Sequence, residues 1–137
     1  MLIDKSLKVA DLPVIWNEQI NEYLDLKVPD DSQGVLQDIH WSGGQFGTFC
    51  NYTIGNVMAA QLMETMKNNK PEIQNDINKA NYLPLLNWLT SNIHSHGRRY
   101  TRNELLERST GETLNPLPYL KYLKNKANQV YGVSFND

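Results

Sequence analysis

Between Gly34 and Gly44 the chain places an amide, a carboxylate, an imidazole and an indole, those of Gln37, Asp38, His40 and Trp41, just ahead of the glycine pair Gly43-Gly44. Asp38 and His40 stand two residues apart, a spacing at which a carboxylate can orient an imidazole through a hydrogen bond. The competing reading is that Gln37 and Asp38 satisfy loop backbone while Trp41 anchors the loop, and the residue types alone leave both open. Gly43, Gly44 and Gly47 favour the chemical reading, because glycine lets backbone come close to a ligand or to another segment without steric conflict.

The remaining reactive side chains invite a metal or nucleophile reading that their spacing does not support. His94 and His96 are two apart on a predicted helix and point in different directions, whereas a helical zinc pair needs the four-residue spacing of H-E-x-x-H, which this sequence does not contain. They are expected at a helix C-terminus, near its unpaired carbonyls, with Gly97 ending the helix in a left-handed conformation. Arg98-Arg99 can fork onto a carboxylate or phosphate, or form a solvated basic pair. The lone cysteine, Cys50, lies between Phe49 and Asn51 with no local base, so it reads as a small, partly buried hydrophobe. A single cysteine excludes an internal disulfide and suits a reducing, cytoplasmic setting.

The elements that must position these residues are helical. Asp11 as cap and Pro13 in the first turn open a helix in which Leu12, Trp16, Ile20, Tyr23 and Leu24 form one apolar face up to about Leu26. Lys27 to Gln33 is a turn-rich break before the polar loop. From Tyr52 through Ile54, Val57, Met58, Ala59 and Leu62 to Met66 the pattern is apolar almost all round, which predicts a central helix, with Gly55, Ala59 and Ala60 permitting close approach of another backbone. A third helix is expected from Pro71 to about Ala80, with Ile73, Ile77 and Ala80 inward, and a fourth after Pro84 with Leu85, Leu86, Leu89 and Ile93. Thr101-Arg-Asn-Glu104 fits a capping box opening a short helix that ends at Gly111. Asn115 and Pro116 open the last, whose buried stripe is expected to be Leu120, Leu123, Ala127, Val130 and Tyr131, up to Gly132. The class is all-α with about six helices in one domain over residues 1–137.

Composition bounds the partners. The net charge of −2 gives no electrostatic footprint for nucleic acid, so a weak helix-turn-helix likeness around residues 100–124 carries little. No apolar run approaches the roughly 20 residues of a membrane span, and Met1-Leu-Ile-Asp-Lys-Ser does not read as a secretory signal. A soluble protein without nucleic-acid or membrane partners is expected.

The motif itself is recognisable. Gly34-x-x-Gln37-Asp38-x-His40-Trp41 resembles the G-x-x-Q-D-x-H-W motif of the Taq-type thermostable metallocarboxypeptidases, and the likeness extends to Val9-Ala-Asp-Leu-Pro13, Trp16-Asn-Glu18, Gly43-Gly44-x-Phe-Gly47, Tyr52-x-x-Gly55-Asn56, Ala59-Ala-Gln61 and His96-Gly-Arg-Arg-Tyr-Thr101. The resemblance implies the C-terminal part of a larger all-α, zinc-dependent exopeptidase that removes C-terminal amino acids from peptides, usually as a homodimer. It also implies that the zinc-binding H-E-x-x-H helix lies upstream of the part seen here, so no zinc is expected in this chain and the chain alone is expected to be inactive. By the same resemblance His40 and Tyr52 are candidate oxyanion donors, Gln37 a contact for peptide backbone, Asp38 the group that fixes the His40 ring, and Trp41 a pocket wall. Arg98 and Arg99 are candidates for substrate or structural ion pairing. The apolar surface that absent upstream helices would cover predicts self-association. The alternative is a non-enzymatic helical interaction module that keeps the family fold.

Overall fold

The computed structural model describes residues 1–135, and among them it has six α-helices and no strand. The all-α class follows directly. The chain divides into two compact units, Met1–Phe49 and the residues from Cys50 onward.

The first unit holds one α-helix, α1 (Leu12–Leu24), and a run of 3-10 turns at Asp31–Gln33, Val35–Gln37 and Trp41–Gly43. Pro13 sits in the first turn of α1 as expected, where its missing N–H breaks no helical bond. Asp11 precedes the helix but its side chain makes no capping bond. The helix ends two residues earlier than the apolar pattern suggests, because Asp25 adopts φ 53° and turns its N–H back to the Asn21 carbonyl. Tyr23 and Leu24, expected on the inward face, are exposed.

The second unit contains α2 (Cys50–Asn69), α3 (Ile73–Asn78), α4 (Leu83–Asn92), a 3-10 turn at His94–His96, α5 (Arg102–Thr110) and α6 (Leu117–Tyr131). Helix α2 is central in that α3, α5 and α6 all pack on it. It is not apolar-buried all round, however: Val57, Gln61 and Met66 are its only buried residues, and Gly55 faces open space with no backbone near it. The core joins Met66, Ile73 and Trp88, with Leu62, Met63, Leu85 and Leu89 packed against them. Burial of side chains of this size stabilises by about 1.5–3 kcal/mol each. The apolar pattern does not single out Trp88, although it stands three residues after Leu85 on the same helical face.

Several inward assignments are corrected. Helix α3 stops at Asn78 and Ala80, exposed at φ 56°, belongs to the turn that follows. Leu86 faces solvent while Leu85 and Leu89 face the core. Cys50 is exposed. The stripe Leu120, Leu123, Val130 and Tyr131 on α6 is exposed too, because α6 turns a different side towards α2, with Pro118 as its one buried residue.

One helix start behaves as the sequence predicts. Thr101 and Glu104 form the capping box of α5, and Gly111 closes that helix at φ 88°. The start of α6 is shifted from the expectation: Pro116, and not Asn115, is its N-cap residue and Pro118 stands in the first turn, while Asn115 Oδ1, one residue further out, accepts from the Leu117 N–H at 2.9 Å. Gln61 ties this region together. Its buried amide nitrogen donates to Thr110 Oγ1 at 3.0 Å and the Thr113 carbonyl at 2.9 Å, while its oxygen accepts from the Asn115 N–H at 3.0 Å.

Candidate functional site

The polar loop of the first unit is built on a side-chain-capped turn. Asp30 accepts from the Ser32 hydroxyl at 2.6 Å and from the Gln33 N–H at 3.0 Å, and these bonds, the hydroxyl first, hold its carboxyl below the usual carboxylate range. Gly34 follows in a buried position, where an added Cβ would lie 2.6 Å from Val28 Cγ1 and 3.1 Å from the Asp30 carbonyl. Here glycine is required by space. The Gln37 amide nitrogen then donates to the Ser32 carbonyl, which folds the next turn back onto the first.

This frame delivers Asp38 and His40 together. Oδ1 of Asp38 lies 3.0 Å from the His40 backbone nitrogen and 2.7 Å from its ring Nδ1, and both side chains are largely buried. Since a carboxylate only accepts, the arrangement places a proton on Nδ1 and makes Nε2 the ring atom with which His40 addresses a further group. The ring is also held edge-on to Phe49, with centroids 5.5 Å apart. Trp41 meets Trp16 of α1 perpendicularly at 5.9 Å and stacks on Phe46 at 6.1 Å. It therefore anchors the loop to α1, and with Leu12, Ile15, Trp16 and Phe46 it lines an apolar cavity of about 300 Å³. His40 is not among the residues lining that cavity.

Of the two uses expected for the glycines after Trp41, close approach to another segment of this chain is not found. No atom lies within 4 Å of where a Cβ would stand at Gly43, Gly44 or Gly47, so none serves a close approach within this chain. Gly44 and Gly47 are instead the positive-φ residues, 71° and 75°, that turn the loop.

The remaining candidates belong to the second unit. Tyr52 lies in the first turn of α2 with its side chain mostly exposed. His94 and His96 fall in a 3-10 turn and not on the α-helix, and Gly97 has φ 55° with ψ −123°, outside the left-handed helical region. Arg98 and Arg99 are exposed in the bend that follows. The organised cation there is Arg108, whose guanidinium lies 4.5 Å from the Tyr100 ring centre, with His96 edge-on to the same ring at 5.4 Å. Sequence reasoning passes over Arg108, Phe49 and Ser32; a four-residue step from Glu104 is the available signal for the first, and none marks the other two.

Among the described residues no group of three or more His, Cys, Asp or Glu side chains is placed to hold a metal ion. Nor is any described helix long and apolar enough to cross a membrane.

Comparison with known proteins places the whole arrangement. The family model described as carboxypeptidase Taq (M32) metallopeptidase matches residues 1–127. Carboxypeptidase 1 of Bacillus subtilis is 36% identical over 130 residues, 95% of this chain and 26% of its own length. The crystal structure of an M32 carboxypeptidase from Deinococcus radiodurans superposes with a TM-score of 0.88 at 41% identity, over 96% of this chain and 27% of that one. Metallocarboxypeptidase 1 of Trypanosoma cruzi gives 0.85 at 38%, over 91% and 26%. The chain thus spans about a quarter of the length of the relatives it matches. With the sequence match running from its first residues through most of α6, this chain belongs to the M32, carboxypeptidase Taq, family of metallopeptidases.

Proposed function

We propose that this chain forms one wall of the substrate cleft of a zinc-dependent M32 carboxypeptidase, which releases C-terminal amino acids from peptides. The observation that carries the reading is the Asp38–His40 pair, a ring locked in one orientation by a carboxylate inside the Gln37–Trp41 motif. A histidine held this way is a preorganised hydrogen-bond donor only if Nε2 also bears a proton. His40, through Nε2, and Tyr52 are each assigned as a donor to the oxyanion of the tetrahedral intermediate, where one such donor contributes about 3 kcal/mol.

Gln37 orders the loop through its amide nitrogen and offers its amide oxygen to a peptide N–H. Trp41 walls the apolar side, and Arg98 and Arg99 supply positive charge for a substrate carboxylate. Zinc would be held by residues outside this sequence, so the chain alone is assigned no peptidase activity. In the assembled enzyme peptides are the substrate, neither nucleic acid nor membrane is a partner, the assembly is homo-oligomeric, and the location is cytoplasmic.

The experiment is direct. The purified chain is assayed for bound zinc and for release of C-terminal amino acids. Trace zinc and no release are expected; one tightly bound zinc per chain with robust release would overturn the assignment of the metal to residues elsewhere.

A further inference from the structure

Trp16 and Asn17 are neighbours on α1, and each meets one end of the segment from Gly34 to Trp41. Trp16 takes the far end, perpendicular to Trp41 at 5.9 Å. Asn17 takes the near end: its amide oxygen lies 3.5 Å from where a Cβ at Gly34 would stand. That oxygen is buried and has no hydrogen-bond partner among the described residues. Folded proteins seldom leave a buried acceptor in that state, because the group has given up its bonds to water without replacing them.

The donors that suit it begin one residue after Gly34. Val35–Gln37 is a 3-10 turn whose first internal bond runs from the Gln37 N–H to the Gly34 carbonyl at 3.0 Å. The N–H groups of Val35 and Leu36 therefore find no acceptor inside the turn, and Gly34, at the N-cap position, has no side chain to supply one. Nor is there room at position 34 for a residue that would, with Val28 Cγ1 and the Asp30 carbonyl at 2.6 and 3.1 Å from the Cβ position. The Asn17 oxygen stands beside the place that such a capping side chain would occupy.

We infer that Asn17 is a positioning residue for His40: from α1 it caps the Val35–Gln37 turn in place of the side chain that Gly34 lacks, its amide oxygen accepting from the N–H of Val35 or Leu36. The turn ends directly before Asp38, whose carboxylate sets the His40 ring. With the turn pinned to α1 by Asn17 and Trp41 pinned to α1 by Trp16, the imidazole between them is held from both sides. The bearing of this on catalysis rests on the oxyanion role assigned to His40, whereas the cap itself does not.

NMR of the isotope-labelled full chain tests the cap directly. A coupling across the hydrogen bond, between the Asn17 side-chain carbonyl carbon and the Val35 or Leu36 amide nitrogen, is expected; its absence where the Gln37 to Gly34 bond gives one would overturn the proposal. Asn17→Leu keeps the branching and removes the acceptor, so hydrogen exchange at Val35 and Leu36 should quicken by about tenfold or more and the His40 ring signals should shift and broaden, while α1 keeps its protection. Asn17→Asp keeps an acceptor oxygen and should restore both. Equal quickening throughout α1 and the loop, or an unmoved His40 ring in Asn17→Leu, would reduce Asn17 to a structural residue of α1 and refute its positioning role. In an assembled M32 enzyme containing this segment, Asn17→Leu should lower kcat about tenfold with KM and bound zinc little changed. A His40 ring disturbed in the chain with kcat intact in the enzyme would count against the cleft reading and leave the cap standing.

Discussion

A single carboxylate oxygen, Oδ1 of Asp38, engages both the backbone N–H and the ring Nδ1 of His40, at 3.0 and 2.7 Å. The first contact fixes where the residue starts and the second fixes which way its ring turns. Two bonds to one atom make the orientation of the imidazole a property of the loop and not of a bound substrate.

From this follows a graded prediction. In an assembled M32 enzyme containing this segment, His40→Ala should lower kcat by about a hundredfold, the range seen when an oxyanion donor is removed, with bound zinc unchanged. Asp38→Asn keeps an oxygen acceptor but weakens the pair, so it should lower kcat less and broaden the His40 ring signals in NMR spectra. Parallel loss of zinc and activity in His40→Ala would show that the residue supports the metal site instead.

Gly34 and Gly43 make opposite predictions from the same substitution. A methyl group added at Gly34 is not accommodated without displacing Val28 Cγ1 at 2.6 Å or the Asp30 carbonyl at 3.1 Å, whereas a Cβ at Gly43 meets nothing within 4 Å. Gly34→Ala should destabilise by about 1–3 kcal/mol, the usual cost of overpacking, and Gly43→Ala should stay within about 0.5 kcal/mol. Urea denaturation measures both. Partial recovery of Gly34→Ala by Val28→Ala would locate the clash, and equal stability of the two glycine variants would refute the steric account.

What was legible in the sequence was local. The capping box at Thr101 and Glu104, Pro13 in a first turn and the Asp38–His40 spacing are decided within a few residues, and each is found in the structure. The apolar stripe of α6 was equally legible as a stripe, yet its environment was not, because periodicity says that a face is apolar and not what covers it. The bonding role of Gln61 is not legible for a related reason. Its partners lie about fifty residues away in the turn between α5 and α6, and no local pattern announces a buried amide. The roles of Gly44 and Gly47 differed from expectation because a glycine's use, close approach or positive φ, depends on neighbours that the sequence does not name.

Gln61 gives the sharpest stability prediction. Gln61→Leu preserves much of the volume but removes the partner of the Asn115 N–H and the donor to the Thr113 carbonyl. Thr113 is exposed and Asn115 half-buried, so the unpaired groups cost less than the roughly 1–3 kcal/mol of a fully buried one, and a loss of about 1–2 kcal/mol is expected by denaturation. Hydrogen exchange should show the loss concentrated in the turn between α5 and α6. A change below about 0.5 kcal/mol would mean that water replaces the amide.

The cap of α5 carries a pH dependence with a definite sign. The Thr101 hydroxyl and then its backbone N–H, at 2.7 and 2.8 Å from Glu104 Oε2, hold the Glu104 carboxyl below its ordinary value. A carboxyl with a lower pKa in the folded state stabilises the fold at pH above its unfolded value, and that contribution is lost as pH falls through the folded one. The Thr101 amide resonance should therefore titrate below the usual glutamate range, and the first turn of α5 should fray over the same interval. Glu104→Gln should remove this step while leaving the Thr101 side chain as acceptor for the residue 104 N–H. A Thr101 amide that does not move on acidification, or that moves identically in Glu104→Gln, would show that the box is not closed in solution.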